Sequence, residues 1–173
     1  MEKHKTMFRR RFVLERLPGE VSPADEHLQI FENYLRDTDL RLRSVRNPST
    51  DERTRSLERI EKLGKFGTVL NSFPLKPEEY EAMRPLRGRE IRKNRYELFR
   101  DATKYDIDVF LGPLWGLNIA TAYFEDDAGA EALREPEMSE LDVSEDSFFD
   151  GKDLCDRDFE AVRRRFLKAK GEG

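Results

Sequence analysis

The sequence predicts an α+β fold in which about eight short strands form an antiparallel barrel or curved sheet, with one helix midway and one at the C-terminal end. The first indication is that polar and apolar residues alternate through many short segments, which is the period of a half-buried strand. The second is that two segments, one midway and one at the end, have the composition of a helix instead. No internal repeat or long linker interrupts this pattern.

Eight segments are predicted as strands: residues 7–16, 28–35, 39–46, 56–63, 66–73, 91–99, 103–110 and 116–125. Residues 39–46 alternate most clearly, because Leu40 and Leu42 face one side while Arg41 and Arg43 face the other. Residues 56–63 are ambiguous, since ERIEKL also suits a helix. The register of 56–72 stays open as well, and a slip of one residue there would exchange the inward and outward sets.

The two helices are predicted from their ends and their apolar faces. Pro77 suits a first helical position, and the glutamates that follow it favour a helix N-terminus. In the last segment, Phe159, Val162 and Phe166 share one helical face, and basic residues follow them. Residues 126–147 are acidic and polar, which indicates a loop with a helical turn.

Length and composition narrow the class of protein. The 173 residues suit a single domain over 1–173, and 37% hydrophobic against 39% charged residues indicates a modest core with a charged surface or a charged interior cavity. The net charge of −4 argues against a general nucleic-acid binder. One cysteine and two histidines exclude an intramolecular disulfide, a cysteine-based zinc site and a histidine-rich metal site. No signal-peptide pattern or membrane-length apolar run is present, so a cytoplasmic location is expected and a membrane partner is not.

Pairs of basic residues two positions apart recur on three of the predicted strands. They are Arg9 and Arg11, Arg41 and Arg43, and Lys93 and Arg95. In an ordinary sheet such a face meets solvent, whereas in a covered barrel it would line a basic interior. The run from Arg9 to Arg11 fits a solvated charge run equally well, and Arg11 is the member most expected to point inward.

Six segments, taken in order, resemble the CYTH, or triphosphate-tunnel, family. They are RRRFVLERLP (9–18), ENYLRDTDLRLRSVR (32–46), FPLKPEEYEAM (73–83), IRKNRYELF (91–99), YDIDVFLGPLWGL (105–117) and DVSEDSFFDGKDL (142–154). The first is similar to the ERKFLV opening of the family, the second to its R-x-R hairpin and the fourth to its K-x-R-Y strand. The resemblance implies an eight-stranded antiparallel tunnel in which basic residues bind a triphosphate and glutamates hold a divalent metal.

The basic half of the family pattern is present in this chain. The resemblance assigns phosphate binding to Arg11, Arg41, Arg43, Lys62, Lys93 and Arg95. A triphosphate carries several negative charges, and the planar guanidinium of arginine can grip phosphate oxygens in pairs.

The acidic half of the family pattern is largely missing. Met7 and Arg9 stand where the opening should have two glutamates, Thr68 and Leu70 where the middle strand should, and Ala120, Thr121, Ala122 and Tyr123 in place of A-E-I-E. Magnesium or manganese would need other carboxylates. The candidates are Asp106, Asp108, Glu97 and Glu15, and the alternative for the two aspartates is an ion pair with interior bases.

Three functions follow as hypotheses. The first is a tunnel that binds a triphosphate, a nucleotide or another polyanion with weak or no catalysis. The second is a triphosphatase that uses Mg²⁺ or Mn²⁺ with altered ligands. The third is a protein-interaction scaffold whose barrel is filled by side chains such as Tyr123 and Met7, with residues 125–160 and the C-terminal helix as contact surfaces.

Overall fold

The computed structural model describes residues 3–171 and confirms the predicted antiparallel barrel of eight strands. The strands are β1 Lys3–Leu14, β2 Leu28–Leu35, β3 Leu40–Arg46, β4 Arg53–Leu63, β5 Gly67–Pro74, β6 Gly88–Arg100, β7 Thr103–Phe110 and β8 Asn118–Phe124, with a short β9 at Leu141–Asp142. The helices are α1 Pro77–Met83, α2 Asp127–Ala132, α3 Gly151–Leu154 and α4 Phe159–Ala169, and 3₁₀ turns cover Gly112–Leu114 and Ser147–Phe149. The helices predicted midway and at the end are α1 and α4.

The length of β1 closes the barrel. The neighbours run in the order β5-β4-β3-β2-β6-β7-β8-β1, and β1 pairs with β5 as well. Residues 3–8 of β1 pair with β5, while residues 8–14 pair with β8. Past Phe8 the edge that β5 leaves free is taken by β9, opposite Phe12 and Val13.

The ambiguous segment 56–63 belongs to β4 and is not a helix. Its backbone pairs with β3 on one side and with β5 on the other, and these ladders outweigh the local helical preference. Lys62 stands opposite Thr68, which settles the register that the sequence left open.

Where β1, β6, β7 and β8 run side by side, the apolar core lies on the outer face of the barrel. Phe12, Ile107 and Ala120 are fully buried on the outer face of β1, β7 and β8, together with neighbours from β6. Val21 and the partly buried Met138 belong to segments that cover this face. Because this core lies outside the strands, alternation leaves the inner face free for charged residues.

The C-terminal elements cover one end of the barrel with a second apolar cluster. Val162 of α4 is buried there, and Phe166 packs against the same cluster, as the predicted helical face required. The ring of Phe159 lies over Gly116, whose φ of 108° favours glycine and where a Cβ would come within 3.0–3.1 Å of the ring. Segment 126–147, predicted as loop with a helical turn, contains α2 and β9. Over residues 3–171, none of the helices has the length and apolar character to cross a membrane.

Candidate functional site

The barrel encloses a cavity of about 620 Å³ to which all eight strands contribute side chains. The strand residues of its wall include Arg9, Arg11, Glu32, Tyr34, Arg41, Ile60, Lys62, Thr68, Ile91, Lys93, Arg95, Asp108, Phe110, Ile119, Thr121 and Tyr123. Charged groups therefore dominate its middle, whereas Ile91, Phe110 and Ile119 also belong to the buried cluster under the C-terminal elements or pack with it.

Five of the six side chains assigned to phosphate by resemblance line this cavity: Arg11, Arg41, Lys62, Lys93 and Arg95. Arg43 does not line it; its Nε lies 3.3 Å from the carboxylate of Glu32. Arg9 also lines the cavity, although the resemblance gave it no binding role because its position matches a glutamate of the family pattern. Its alternation with Arg11 was the signal that could have found it.

The run Arg9–Arg11 is not a solvated charge run. Arg10 and Arg11 are both buried. Arg10 faces the other side of β1 and donates hydrogen bonds to the carbonyl oxygen of Ala130 at 2.8 Å and to the carboxylate of Asp142 at 3.2 Å. Strand alternation has thus sent adjacent arginines to two separate buried environments.

Glu32 is the centre of the first charged network. Its side chain is 2% exposed, and its carboxylate lies 3.3 Å from Arg41, 3.3 Å from Arg43 and 3.8 Å from Lys93. The hydroxyl of Tyr34 donates a hydrogen bond to it at 2.7 Å. Burial opposes ionisation of Glu32, but the three cations outweigh burial and hold its pKa below the usual range. The carboxylate is therefore charged at neutral pH.

A second carboxylate, Glu58, holds Arg41 from the other side. Arg41 donates to it at 2.7–2.8 Å, and the hydroxyl of Ser56 donates to it at 2.8 Å. Burial disfavours the charged guanidinium, yet Glu32 and the neighbouring groups raise the pKa of Arg41 above its ordinary value. Both glutamates were missed as site residues, although each stands opposite one of the predicted arginines in the β2–β3–β4 ladder.

Asp108 is the centre of the second network. Arg95 grips both of its oxygens at 2.7 and 2.9 Å, and Lys93 lies 2.8 Å away. Burial opposes ionisation, but Lys93 and Arg95 hold the pKa of Asp108 below its usual range. Asp106 lies 3.4 Å from Arg95, and burial raises its pKa. Asp106 and Asp108 therefore both form ion pairs with interior bases, the role that the sequence offered as the alternative to metal binding.

The four metal candidates do not come together as a site. Glu97 is exposed and paired with Lys104, and Glu15 is exposed just after β1. Across residues 3–171, no three acidic, histidine or cysteine side chains are grouped so that they could hold a metal ion. The residues present therefore do not fit a magnesium or manganese site built from protein carboxylates.

The positions where the family pattern has glutamates carry neutral or basic side chains. Met7 stands opposite Thr68, Arg9 opposite Tyr123 and Arg11 opposite Thr121. Thr68, Thr121 and Tyr123 all line the cavity. This side of the tunnel consequently offers hydroxyl groups and guanidinium groups in place of carboxylates.

Asp150 closes one side of the tunnel mouth. Its carboxylate lies 2.5 Å from Arg11 and 3.4 Å from Arg9, and Arg11 also donates to the carbonyl oxygen of Phe149. The Asp150 side chain is 38% exposed, unlike Glu32 and Asp108. Burial and the nearby Arg11 lower the pKa of Arg9 to about 10, so Arg9 is still protonated at neutral pH.

The chain next to Asp150 approaches the barrel closely. A Cβ on Gly151 would lie 1.8 Å from the hydroxyl oxygen of Tyr34, so only glycine fits at this point. Residues 149–156 all line the cavity, and we call them the mouth segment. Local sequence pattern does not assign these residues to the site, because about 140 residues of chain separate them from their contacts on β1.

Comparison with known proteins identifies the fold. No family model matches the chain, and no curated protein matches it. Among solved structures, the inorganic triphosphatase NE1496 superposes with a TM-score of 0.59 at 22% identity, covering 86% of this chain and 93% of that one. A second structure of NE1496, described as a hypothetical protein, gives 0.59 at 23% identity over 86% and 97%. The PH1012 protein from Pyrococcus horikoshii gives 0.48 at 10% identity over 72% and 84%.

The likeness to NE1496 establishes the fold of this chain. It is the triphosphate-tunnel fold that the sequence resemblance implied, a closed antiparallel barrel with charged residues inside.

Proposed function

We propose that the protein binds a triphosphate, a nucleotide or another polyphosphate anion inside the barrel, and that binding, with weak or no catalysis, is its function. The observation that carries this proposal is a set of cations near the mouth that no buried carboxylate holds. Arg9 and Arg11 share one partly exposed carboxylate, and Lys62 has no carboxylate within 4 Å among the described residues. Phosphate oxygens are strong acceptors for such donors, and arginine can hold them in pairs.

The basic residues that are paired with buried carboxylates serve mainly to fix the structure of the site, and less to contact the ligand. Arg41, Lys93 and Arg95 are each held by buried carboxylates, so they give the tunnel a rigid cationic wall. A side chain that is already positioned loses less entropy when a ligand arrives. The similarity to a protein named as an inorganic triphosphatase supports a phosphate-rich anion as the ligand class.

We favour binding over hydrolysis because the acidic residues do not fit a metal site. Asp106 and Asp108 are paired with Arg95 and Lys93 on the inner face, whereas Glu15 and Glu97 are exposed. The open cavity of about 620 Å³ also supports a ligand site over a barrel filled by its own side chains. Tyr123, one of the side chains proposed to fill it, is 43% exposed.

Isothermal titration calorimetry with tripolyphosphate and with ATP tests the proposal. Each is titrated at moderate salt, once with a chelator and once with excess magnesium. We expect saturable 1:1 binding that weakens as salt rises, because the attraction is electrostatic. Absence of binding in both buffers would refute the proposal and favour the interaction scaffold.

A phosphate-release assay separates binding from turnover. Tripolyphosphate and ATP are incubated with the protein and Mg²⁺ or Mn²⁺ across a range of pH. We expect release at the rate of the protein-free control. Release well above that control, lost on substitution of Asp106 or Asp108, would establish the metal-dependent triphosphatase instead.

A further inference from the structure

We infer that the tunnel takes its polyphosphate as the metal-free anion, so that Mg²⁺ in solution weakens binding by sequestering the ligand. This inference rests on the proposed function and specifies the chemical form of its ligand. In this account the fixed guanidinium and ammonium groups of the wall supply the positive charge that a metal would otherwise bring.

The buried carboxylates of Asp108 and Glu32 are already surrounded by cations and hydrogen-bond donors. Asp108, 6% exposed at its side chain, meets Lys93 at 2.8 Å and both nitrogens of an arginine fork at 2.7 and 2.9 Å. Glu32, 2% exposed, has cations at 3.3, 3.3 and 3.8 Å and a hydroxyl donor at 2.7 Å. To coordinate a metal, either carboxylate would have to release cations whose side chains are only 12–20% exposed. A buried cation left without its counter-charge is strongly unfavourable.

The neighbouring cations also repel a divalent ion directly. A magnesium ion sits about 2.0–2.1 Å from a ligand oxygen. The ammonium of Lys93 is 2.8 Å from one oxygen of Asp108, so an ion on that oxygen would lie within about 5 Å of the ammonium. Like charges at that separation in a poorly solvated cavity repel strongly.

The other wall of the tunnel offers no replacement ligands. Thr68, Thr121 and Tyr123 supply neutral oxygens, which Mg²⁺ does not favour over water and carboxylate. Four other aspartates line the cavity, Asp37, Asp39, Asp153 and Asp156, but no three carboxylates of residues 3–171 are grouped so that they could hold a metal ion. Asp150 is the carboxylate paired with Arg9 and Arg11, and it binds the same N–H groups that a phosphate would use. An incoming polyphosphate therefore displaces the carboxylate of Asp150 from Arg9 and Arg11. One anion replaces another, and the exchange needs no metal ion.

Calorimetric titration with tripolyphosphate in chelator and in magnesium tests this, with ionic strength matched by NaCl. When free Mg²⁺ is about tenfold above the dissociation constant of the magnesium–tripolyphosphate complex, we expect the apparent affinity to fall about tenfold. An affinity that is unchanged or higher in magnesium would overturn the inference while leaving polyphosphate binding established. No binding in either buffer would refute the proposed function itself, and the inference with it.

The variant Asp106→Asn gives a second, independent test. Arg95 keeps its fork on Asp108 in this variant, so the protein is expected to fold. We expect its affinity in chelator to equal or exceed that of the parent, because one negative charge beside Arg95 has been removed. A variant that loses magnesium-dependent binding present in the parent would assign Asp106 to a metal and contradict the metal-free account.

Discussion

Replacing Glu32 by glutamine probes the charged interior more sharply than any other single change. The substitution keeps the shape of the side chain and an oxygen that can accept from Tyr34, but it removes the charge shared by three cations. Arg41 retains Glu58 and Lys93 retains Asp108, whereas Arg43 has no second carboxylate within 4 Å in residues 3–171. Removing one partner of a buried ion pair typically costs about 3–5 kcal/mol, and we expect a loss of that size.

Urea unfolding at pH 7 measures this loss as a change in the free energy of unfolding. Glu61→Gln is the matched control, because Glu61 is exposed on β4 and its substitution should change stability by less than about 0.5 kcal/mol. A small domain has only about 5–15 kcal/mol of stability, so the variant should unfold at clearly lower urea. If Glu32→Gln matched the parent within about 1 kcal/mol, the interior network would not be stabilising in the way described.

The lowered pKa of Glu32 also makes the free energy of unfolding depend on pH. The folded-state pKa of Glu32 lies below its ordinary value of 4.5, so the stabilisation is present above that pH and is lost as pH falls further. The free energy of unfolding should therefore drop as the parent is acidified below about pH 4.5, and less steeply for Glu32→Gln. Identical pH profiles for the two proteins would contradict the assignment. The lowered pKa of Asp108 adds a pH dependence of the same sign to the parent and to the variant alike.

Three further predictions concern the mouth of the tunnel. Arg11→Gln should lower the affinity for tripolyphosphate at least about tenfold, since hydrogen bonds to charged groups contribute about 1.5–3 kcal/mol, whereas the exposed Arg59→Gln should leave calorimetric affinity within about twofold. Asp150→Asn should raise that affinity by up to about fivefold, because a partly exposed ion pair that competes with the ligand contributes at most about 1 kcal/mol. The control Asp153→Asn also lies on the cavity wall and should show no such rise. Gly151→Ala should destabilise the protein by about 1–3 kcal/mol in urea unfolding, because its Cβ would overlap a tyrosine hydroxyl; full stability would show that the mouth segment is not packed as described.

The inner and outer faces of the barrel were predictable wherever a strand alternated cleanly. In β3 and β6 the period of two placed Arg41, Lys93 and Arg95 on the inner face, and the structure agrees. The same rule pairs Arg9 with Arg11 on one face, and the structure places both on the cavity wall. The family resemblance gave no phosphate-binding role to Arg9, because its position matches a glutamate of the family pattern.

The carboxylate partners were harder to predict because they depend on cross-strand register. Glu32 stands directly opposite Arg43, and Glu58 opposite Arg41, but these pairs follow only once the turns that join β2, β3 and β4 are known. For Glu58 the helical character of ERIEKL left even the strand assignment ambiguous, and the register of that strand was open. Asp150 could not be placed from local pattern at all, since its partners lie about 140 residues earlier in the chain.

A crystal structure of the protein grown with tripolyphosphate and chelator would test the central claim most directly. The account predicts the anion inside the barrel, with phosphate oxygens within hydrogen-bonding distance of Arg9, Arg11 and Lys62 and with Asp150 displaced from both arginines. An anion bound only on the outer surface, or a tunnel without ligand at saturating tripolyphosphate and with the Asp150 ion pairs intact, would contradict it.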